Sequence, residues 1–300
     1  MNNTLIVLPG PTGVGKTDLA LTLADHFKCE IISCDSRQFY REMTIGTAVP
    51  DSEQLSRVKH HFVQFLSVKD YYSASMYERD VLNLLPRLFE KNPVAIMTGG
   101  SMLYIDAVCN GMDDIPDINP EIRAKYIEMY HSEGVEGLRI ALKILDPDYY
   151  SKVDLRNYRR IMRALEITET AGRPYSSLLT SEKRKRDFRI IKAGLSRERS
   201  ELYERINLRV DRMMNAGLSE EARSLLEYRY LNALNTVGYR ELFSYFDGKT
   251  TIEKAVELIK RNTRRYAKKQ LTWWSKDDEI KWFDAGNPDP IVSWLGQNLR

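Results

Sequence analysis

The stretch Gly10, Pro11, Thr12, Gly13, Val14, Gly15, Lys16, Thr17 fits the pattern G-x-x-x-x-G-K-[ST], and few eight-residue strings constrain a fold as tightly. It requires an apolar strand before it and a helix after it, and the flanks supply both. Leu5–Pro9 is an apolar run that stops at Gly10, and Thr17–Phe27 repeats apolar residues at helical spacing. The glycines let successive backbone N–H groups converge on phosphate oxygens. The following helix directs its positive end at the same spot. Lys16 adds a point charge for a terminal phosphate, and the Thr17 hydroxyl can ligate Mg2+. Such a cradle names a ligand group and not a reaction: ATP, GTP or any organic diphosphate suits it.

The rest of the chain agrees with this start. Glu30–Cys34 is a second β-type run ending at Asp35, and Val94–Met97 a third, followed by Thr98, Gly99 and Gly100. Between them Ser75–Lys91 is helical, with Ser75 and Glu78 in capping-box spacing. Strands alternating with helices predict an α/β layer with a parallel sheet. After Gly111 the pattern changes. Met112–Pro120 is rich in Asp, Pro and Asn and reads as a linker, and Glu121–Gly172 is helical without a strand signal. A β-type run returns at Phe188–Leu195; Arg197 to about Lys276 is mostly helical, and an Ile280–Phe283 strand and a last helix follow. The fold class is therefore α/β: a P-loop nucleoside-triphosphate-hydrolase-like core with a parallel sheet, plus an all-helical insertion domain. The core occupies residues 1–115 and 184–300, and the insertion 116–183. The third strand lacks the terminal acid usual in motor and switch NTPases, which argues against those classes but leaves a small-molecule kinase open.

Charge is distributed unevenly. Residues 1–150 carry 14 Lys+Arg and 21 Asp+Glu, whereas residues 151–300 carry 31 and 21. The second half, at net +10, suits a polyanionic partner. Residues 156–199 hold 13 basic against 5 acidic side chains, and residues 260–269 hold six basic and none acidic. Tyr158, Tyr239, Tyr266, Trp273 and Trp274 are interleaved with them and could stack on unpaired bases. The basic run Lys183–Arg186 reads as a solvated loop. Cys29, Cys34 and Cys109 lack paired spacing, and the four histidines lack ligand spacing, so neither a disulfide framework nor a zinc site is expected. Leu5–Leu8 is too short for a signal peptide, and no stretch nears the length of a membrane span. A soluble, cytoplasmic, monomeric protein is expected.

Seven blocks in order resemble one family. The phosphate loop, Ile32–Tyr40, Ile45–Ala48, Gly99–Tyr104, Arg159–Glu166, Val237–Arg240 and Ala267–Trp273 are similar to the tRNA dimethylallyltransferases (tRNA isopentenyltransferases). The resemblance implies transfer of a dimethylallyl group from dimethylallyl diphosphate to N6 of the adenosine next to the anticodon. The loop would then hold a leaving diphosphate, aided by Mg2+ at Thr17, and Asp35 would correspond to the base that accepts the N6 proton. Ser36, Arg37, Gln38, Ser101 and Arg123 would contact the extruded nucleotide and its neighbours, with Ser101 standing where the family often has Thr. Arg205 and Arg209, four apart on a predicted helix, correspond to the diphosphate-contacting arginines. The stretch Arg159, Arg160, Ile161, Met162, Arg163 and the stretch Gly238, Tyr239, Arg240 would meet the anticodon stem-loop, which the insertion would help to enclose. No Cys or His follows His131, so the zinc finger of many eukaryotic relatives is not expected and a bacterial type is.

Three other readings share the loop. An adenylate isopentenyltransferase uses the same donor with a free nucleotide, but would have no use for the C-terminal basic and aromatic blocks. A P-loop small-molecule kinase would use ATP. A non-enzymatic RNA-binding switch would leave Asp35 without a job.

Overall fold

Leu5, Ile6, Val7 and Leu8 are all fully buried, as a central parallel strand requires when both faces of its sheet are covered. The computed structural model describes residues 2–117, 119–180, 183–287 and 289–299. The first segment contains β1 (Thr4–Pro9), α1 (Lys16–Phe27), β2 (Ile31–Ser33), α2 (Ser52–Arg57), β3 (His60–His61), α3 (Ala74–Phe89), β4 (Val94–Gly99) and α4 (Met102–Asn110). Then come α5 (Pro120–Leu145), α6 (Pro147–Tyr150) and α7 (Tyr158–Ala171). The chain finishes with β5 (Arg189–Ser196), α8 (Arg199–Asn215), α9 (Leu218–Ser224), α10 (Tyr239–Phe246), α11 (Ile252–Trp274), β6 (Ile280–Asp284) and α12 (Asp289–Asn298).

The six strands form one sheet in the order β3-β2-β4-β1-β5-β6, and all five pairings are parallel. Side chains alternate across it: Leu5, Val7 and Ile32 join one core, and Ile6, Leu8 and Ile31 the other. β1 has β4 on one side and β5 on the other. The loop after β1 therefore opens at the carboxyl ends of central strands, where parallel α/β sheets bind their ligands.

The contacts divide the chain into two units, Met1–Cys109 with Arg186–Arg300, and Asn110–Lys185. The junctions lie further out than residues 116 and 183, because Arg184 N–H donates to Asn110 O at 2.7 Å and ties the ends of the insertion together. The insertion is helical among its described residues. It packs α5 and α7 around Tyr126, Leu138, Leu142, Ile161, Met162 and Leu165, and α5 is broken at Gly134, where φ is +70°.

Three expectations need correction. Helix α3 is capped by Ser73, whose side chain accepts from Met76 N–H at 3.2 Å, and not by Ser75. Glu78 is not a capping partner: it is buried and pairs with Arg186 at 2.7 Å. Arg186 in turn donates to the Val108 and Ala107 carbonyls, so the end of the basic run 183–186 is a buried ion pair and not a solvated loop. Strand β3 had no sequence signal, because two histidines at an edge show neither alternation nor an apolar run. Among the described residues, no helix is long and apolar enough to cross a membrane.

Candidate active site

The phosphate loop is shaped by hydrogen bonds from outside it. Gly13 and Gly15 have φ of +83° and +110°, a region that side chains with a Cβ rarely enter. Lys16 Nζ donates to the Gly10 and Pro11 carbonyls at 2.8 and 3.0 Å. Arg205 Nε donates to Gly13 O at 2.9 Å, and Arg197 Nε to Val14 O at 2.8 Å. Thr12 N–H donates to Gln270 Oε1 at 2.9 Å. The peptide planes of the loop are thereby set before any ligand arrives. The first-turn N–H groups of α1, which have no intrahelical acceptor, open on the same place.

That place is a cavity of about 670 Å3, lined by Thr12, Gly13, Gly15, Lys16 and Thr17 on one side. Asp35, Ser36, Arg37 and Gln38 line it from the end of β2, Gly99, Gly100 and Ser101 from the end of β4, and Arg205 and Arg209 from α8. Gly238, Arg240, Tyr266 and Gln270 complete it from the second core segment. Burial pushes the Lys16 ammonium down to about 8, against the pull of Asp35 and with the help of Arg209. Burial likewise lowers the Arg209 guanidinium, and Asp35 opposes that shift. Lys16, Arg209 and Asp35 thus feel one another in one enclosed space. Arg205 is exposed at the rim, bound to the loop by its Nε.

The Asp35 side is equally well braced. Asp35 Oδ1 accepts Arg37 N–H at 3.1 Å, so the chain turns at the strand end. Ser101 Oγ accepts Ser36 N–H at 2.8 Å and donates to Ser36 Oγ at 3.0 Å. Gln38 Nε2 donates to the Thr47 and Ala48 carbonyls, and its Oε1 accepts from Ser33 Oγ. Arg37 Nη1 reaches Asn232 O at 2.8 Å. A Cβ on Gly99 would lie 1.9 Å from Cys34 O, so only glycine lets β4 end this close to the residue before Asp35.

Several expected contacts are placed otherwise. Tyr239 is fully buried and donates to Glu221 Oε1 at 2.6 Å, so it anchors the core and cannot stack on a base. Glu221, which no sequence pattern marks, also accepts N–H groups from Thr44, Ile45 and Gly46 at 2.7 to 2.9 Å. It fixes the turn whose carbonyls hold Gln38. Gly238 is buried, its N–H given to Glu241, whereas Arg240 is exposed. Trp274 is core at 1 % exposure, but its neighbour Trp273 is 40 % exposed and donates to Asp106. Tyr266 donates to Gly100 O at 3.2 Å. Gln270, fully buried, was legible only as part of a motif block.

Within the insertion, Ile161 and Met162 are core residues at 0 % and 8 % exposure. The expected RNA contact is therefore closed to their side chains, and their burial holds α7 in place. Arg159 and Arg160 are exposed, and Arg163 is partly so. Arg123 and Arg163 each approach the buried Glu166 carboxylate at 3.7 Å. Burial pushes Glu166 up, and the two arginines oppose it. Tyr158 stacks on Tyr130 at 4.3 Å between ring centroids.

Among the described residues, no group of three His, Cys, Asp or Glu side chains could hold a metal ion. The Thr17 hydroxyl beside the phosphate loop suits Mg2+ only if most of the six oxygens come from a bound diphosphate and water, which is how this ion is commonly held.

A family model described as IPP transferase matches residues 38–277. The tRNA dimethylallyltransferase 1 of Bacteroides fragilis is 52% identical over 297 residues, 99% of each chain. The tRNA dimethylallyltransferase 2 of Parabacteroides distasonis is 53% identical over the same length, again 99% of each. Among solved structures, the full-length tRNA isopentenylpyrophosphate transferase from Bacillus halodurans superposes with a TM-score of 0.72 at 33% identity, covering 99% of this chain and 97% of that one. A eukaryotic dimethylallyltransferase acting on tRNA gives 0.79 at 26% identity, covering 94% and 74%.

Proposed function

The chain belongs to the IPP transferase family, and from that premise we propose that it transfers a dimethylallyl group from dimethylallyl diphosphate to N6 of the adenosine next to the anticodon of tRNA. One observation carries the chemistry. A single cavity joins a phosphate loop and two cationic side chains, Lys16 and Arg209, with a strand-end carboxylate, Asp35.

In the reaction the bond between the donor's C1 and its bridging oxygen breaks, and a bond from C1 to N6 forms. Diphosphate leaves with the electron pair. Its growing charge is met by Lys16, Arg209, Arg205 and the amides of the loop, which are fixed beforehand and need no reorganisation. The Asp35 carboxylate accepts an N6 hydrogen, orients the amine and takes the proton as the new bond forms. Mg2+, held at the Thr17 hydroxyl, would neutralise charge on the diphosphate oxygens. Ser36, Arg37, Gln38 and Ser101 surround the acceptor base, which must leave its stack to reach a cavity of this kind. Arg159, Arg160 and Arg163 offer the insertion's contacts to tRNA phosphates. A cytoplasmic location goes with the tRNA substrate proposed here.

The rival readings have less support. β4 ends in Thr98-Gly99 without an acid, and the family match over residues 38–277 is to IPP transferase; together these disfavour a kinase. Helix α11, in the C-terminal block that a free-nucleotide enzyme would not need, contributes Tyr266 and Gln270 to the cavity. The test is incubation with dimethylallyl diphosphate, magnesium and either unmodified tRNA or AMP, read by mass for an added C5 unit. Addition to tRNA is expected. Asp35→Ala should lower transfer by about 10²–10⁴-fold with tRNA affinity retained; loss of tRNA binding instead would mean that Asp35 is not the base.

A further inference from the structure

Gln270 lies on α11, far along the chain from both loops that it touches. Its Oε1 accepts Thr12 N–H at 2.9 Å, and its Nε2 donates to Gly100 O at 2.7 Å. The amide orientation is unambiguous, since one neighbour is a donor and the other an acceptor. Thr12 belongs to the phosphate loop. Gly100 precedes Ser101, whose hydroxyl holds Ser36 by its N–H and its Oγ, and Ser36 follows Asp35. A Cβ on Gly100 would fall 2.6 Å from Gln270 Nε2 and 3.9 Å from Asp35 Oδ2, so Gly100 sits between the amide and the carboxylate. A continuous path thus runs from the leaving-group loop through one amide to the acceptor loop.

We propose that Gln270 is a positioning residue that sets the spacing between the diphosphate subsite and the Asp35 subsite. The inference rests on the prenyl-transfer reading of the cavity and names a residue through which that reaction is aligned. The chemistry of the side chain explains why glutamine is needed. A carboxamide presents one acceptor and one donor at a fixed short separation on a rigid plane, without depending on pH. A carboxylate would serve Thr12 N–H but oppose Gly100 O. An apolar chain would serve neither. Gln270 is fully buried, so water is not at hand to replace a missing bond. In-line transfer needs the attacking nitrogen, C1 and the leaving oxygen aligned within a few tenths of an ångström. A misplacement of about 1 Å costs about 100-fold in rate.

The experiment compares the wild-type protein with Gln270→Glu and Gln270→Met. Single-turnover transfer is measured at saturating dimethylallyl diphosphate, magnesium and unmodified tRNA, and the dissociation constant of each substrate is measured separately. Gln270→Met fills a similar volume and leaves Gly100 O to the Tyr266 hydroxyl, so it keeps the test valid should a buried carboxylate unfold the core. The expected result is a drop of about 100-fold in the single-turnover rate with both dissociation constants unchanged. A residue that merely stabilised α11 would lower the melting temperature and leave that rate alone. An unchanged rate in folded variants overturns the proposal, as does a rate loss fully accounted for by weaker binding of either substrate. If the wild-type protein adds no C5 unit to tRNA, the underlying prenyl-transfer reading fails with it, which separates the two failures.

Discussion

The depressed Lys16 ammonium gives a sharp test of the phosphate end of the site. Burial brings it to about 8 from an ordinary 10.5, with Arg209 pushing the same way and Asp35 resisting. A diphosphate placed on the loop would supply the missing counter-charge and hold the lysine protonated. Donor binding should then take up a proton above about pH 8. With the free lysine titrating at about 8, roughly nine-tenths is charged at pH 7 and roughly one-tenth at pH 9. If only the charged form binds, the apparent Kd for dimethylallyl diphosphate rises about tenfold across that interval. Stability moves in the opposite sense. Between about 8 and 10.5 the unfolded chain holds the Lys16 proton more tightly than the folded one, so this group makes the free protein more stable as pH rises through that window. Its cost is fully present below the lower value. Calorimetric titration with donor at fixed free magnesium, in buffers of different ionisation enthalpy, reads both the affinity and the proton uptake; Lys16→Met should bind weakly and without this pH dependence. An affinity that stays flat from pH 7 to pH 9, with no proton uptake, would refute the reasoning.

Two further predictions concern the frame of the site. Tyr239→Phe removes a buried hydrogen bond to the Glu221 carboxylate and should cost about 1.5–3 kcal/mol in denaturant unfolding; an unchanged midpoint would mean that the backbone donors of residues 44–46 satisfy Glu221 by themselves. Arg186→Met leaves Glu78 buried without its guanidinium and should destabilise by about 3–5 kcal/mol. Adding Glu78→Leu to it should recover much of that loss, and a double variant no better than the single one would show that the pair is not the unit.

What the sequence determined by itself is what lies within a few residues along the chain. The phosphate loop is set by contiguous glycines and a lysine, with a buried strand before it and an amphipathic helix after it. Asp35 could be placed at a strand end because Glu30–Cys34 shows its β character locally. The helical insertion was legible from a long stretch without strand signal. The cap of α3 lies two residues before the one the spacing suggests, since Ser73 and Ser75 are chemically equal and only the folded chain shows Ser73 accepting Met76 N–H. Tertiary structure alone decided the rest. Nothing in composition tells Trp273 from Trp274, yet one is 40 % exposed and the other 1 %. The sequence placed Arg205 and Arg209 on one helix face, and only the folded chain shows the first at the rim and the second near Lys16 and Asp35. Tyr239 has the chemistry of a stacking platform, and only the fold puts Glu221 at its hydroxyl and takes it into the core. Thr12 and Gln270 stand 258 positions apart. A hydrogen bond acts over about 3 Å and leaves no periodicity in the chain that carries its two ends, so partners such as these come into view only when the fold has brought them together.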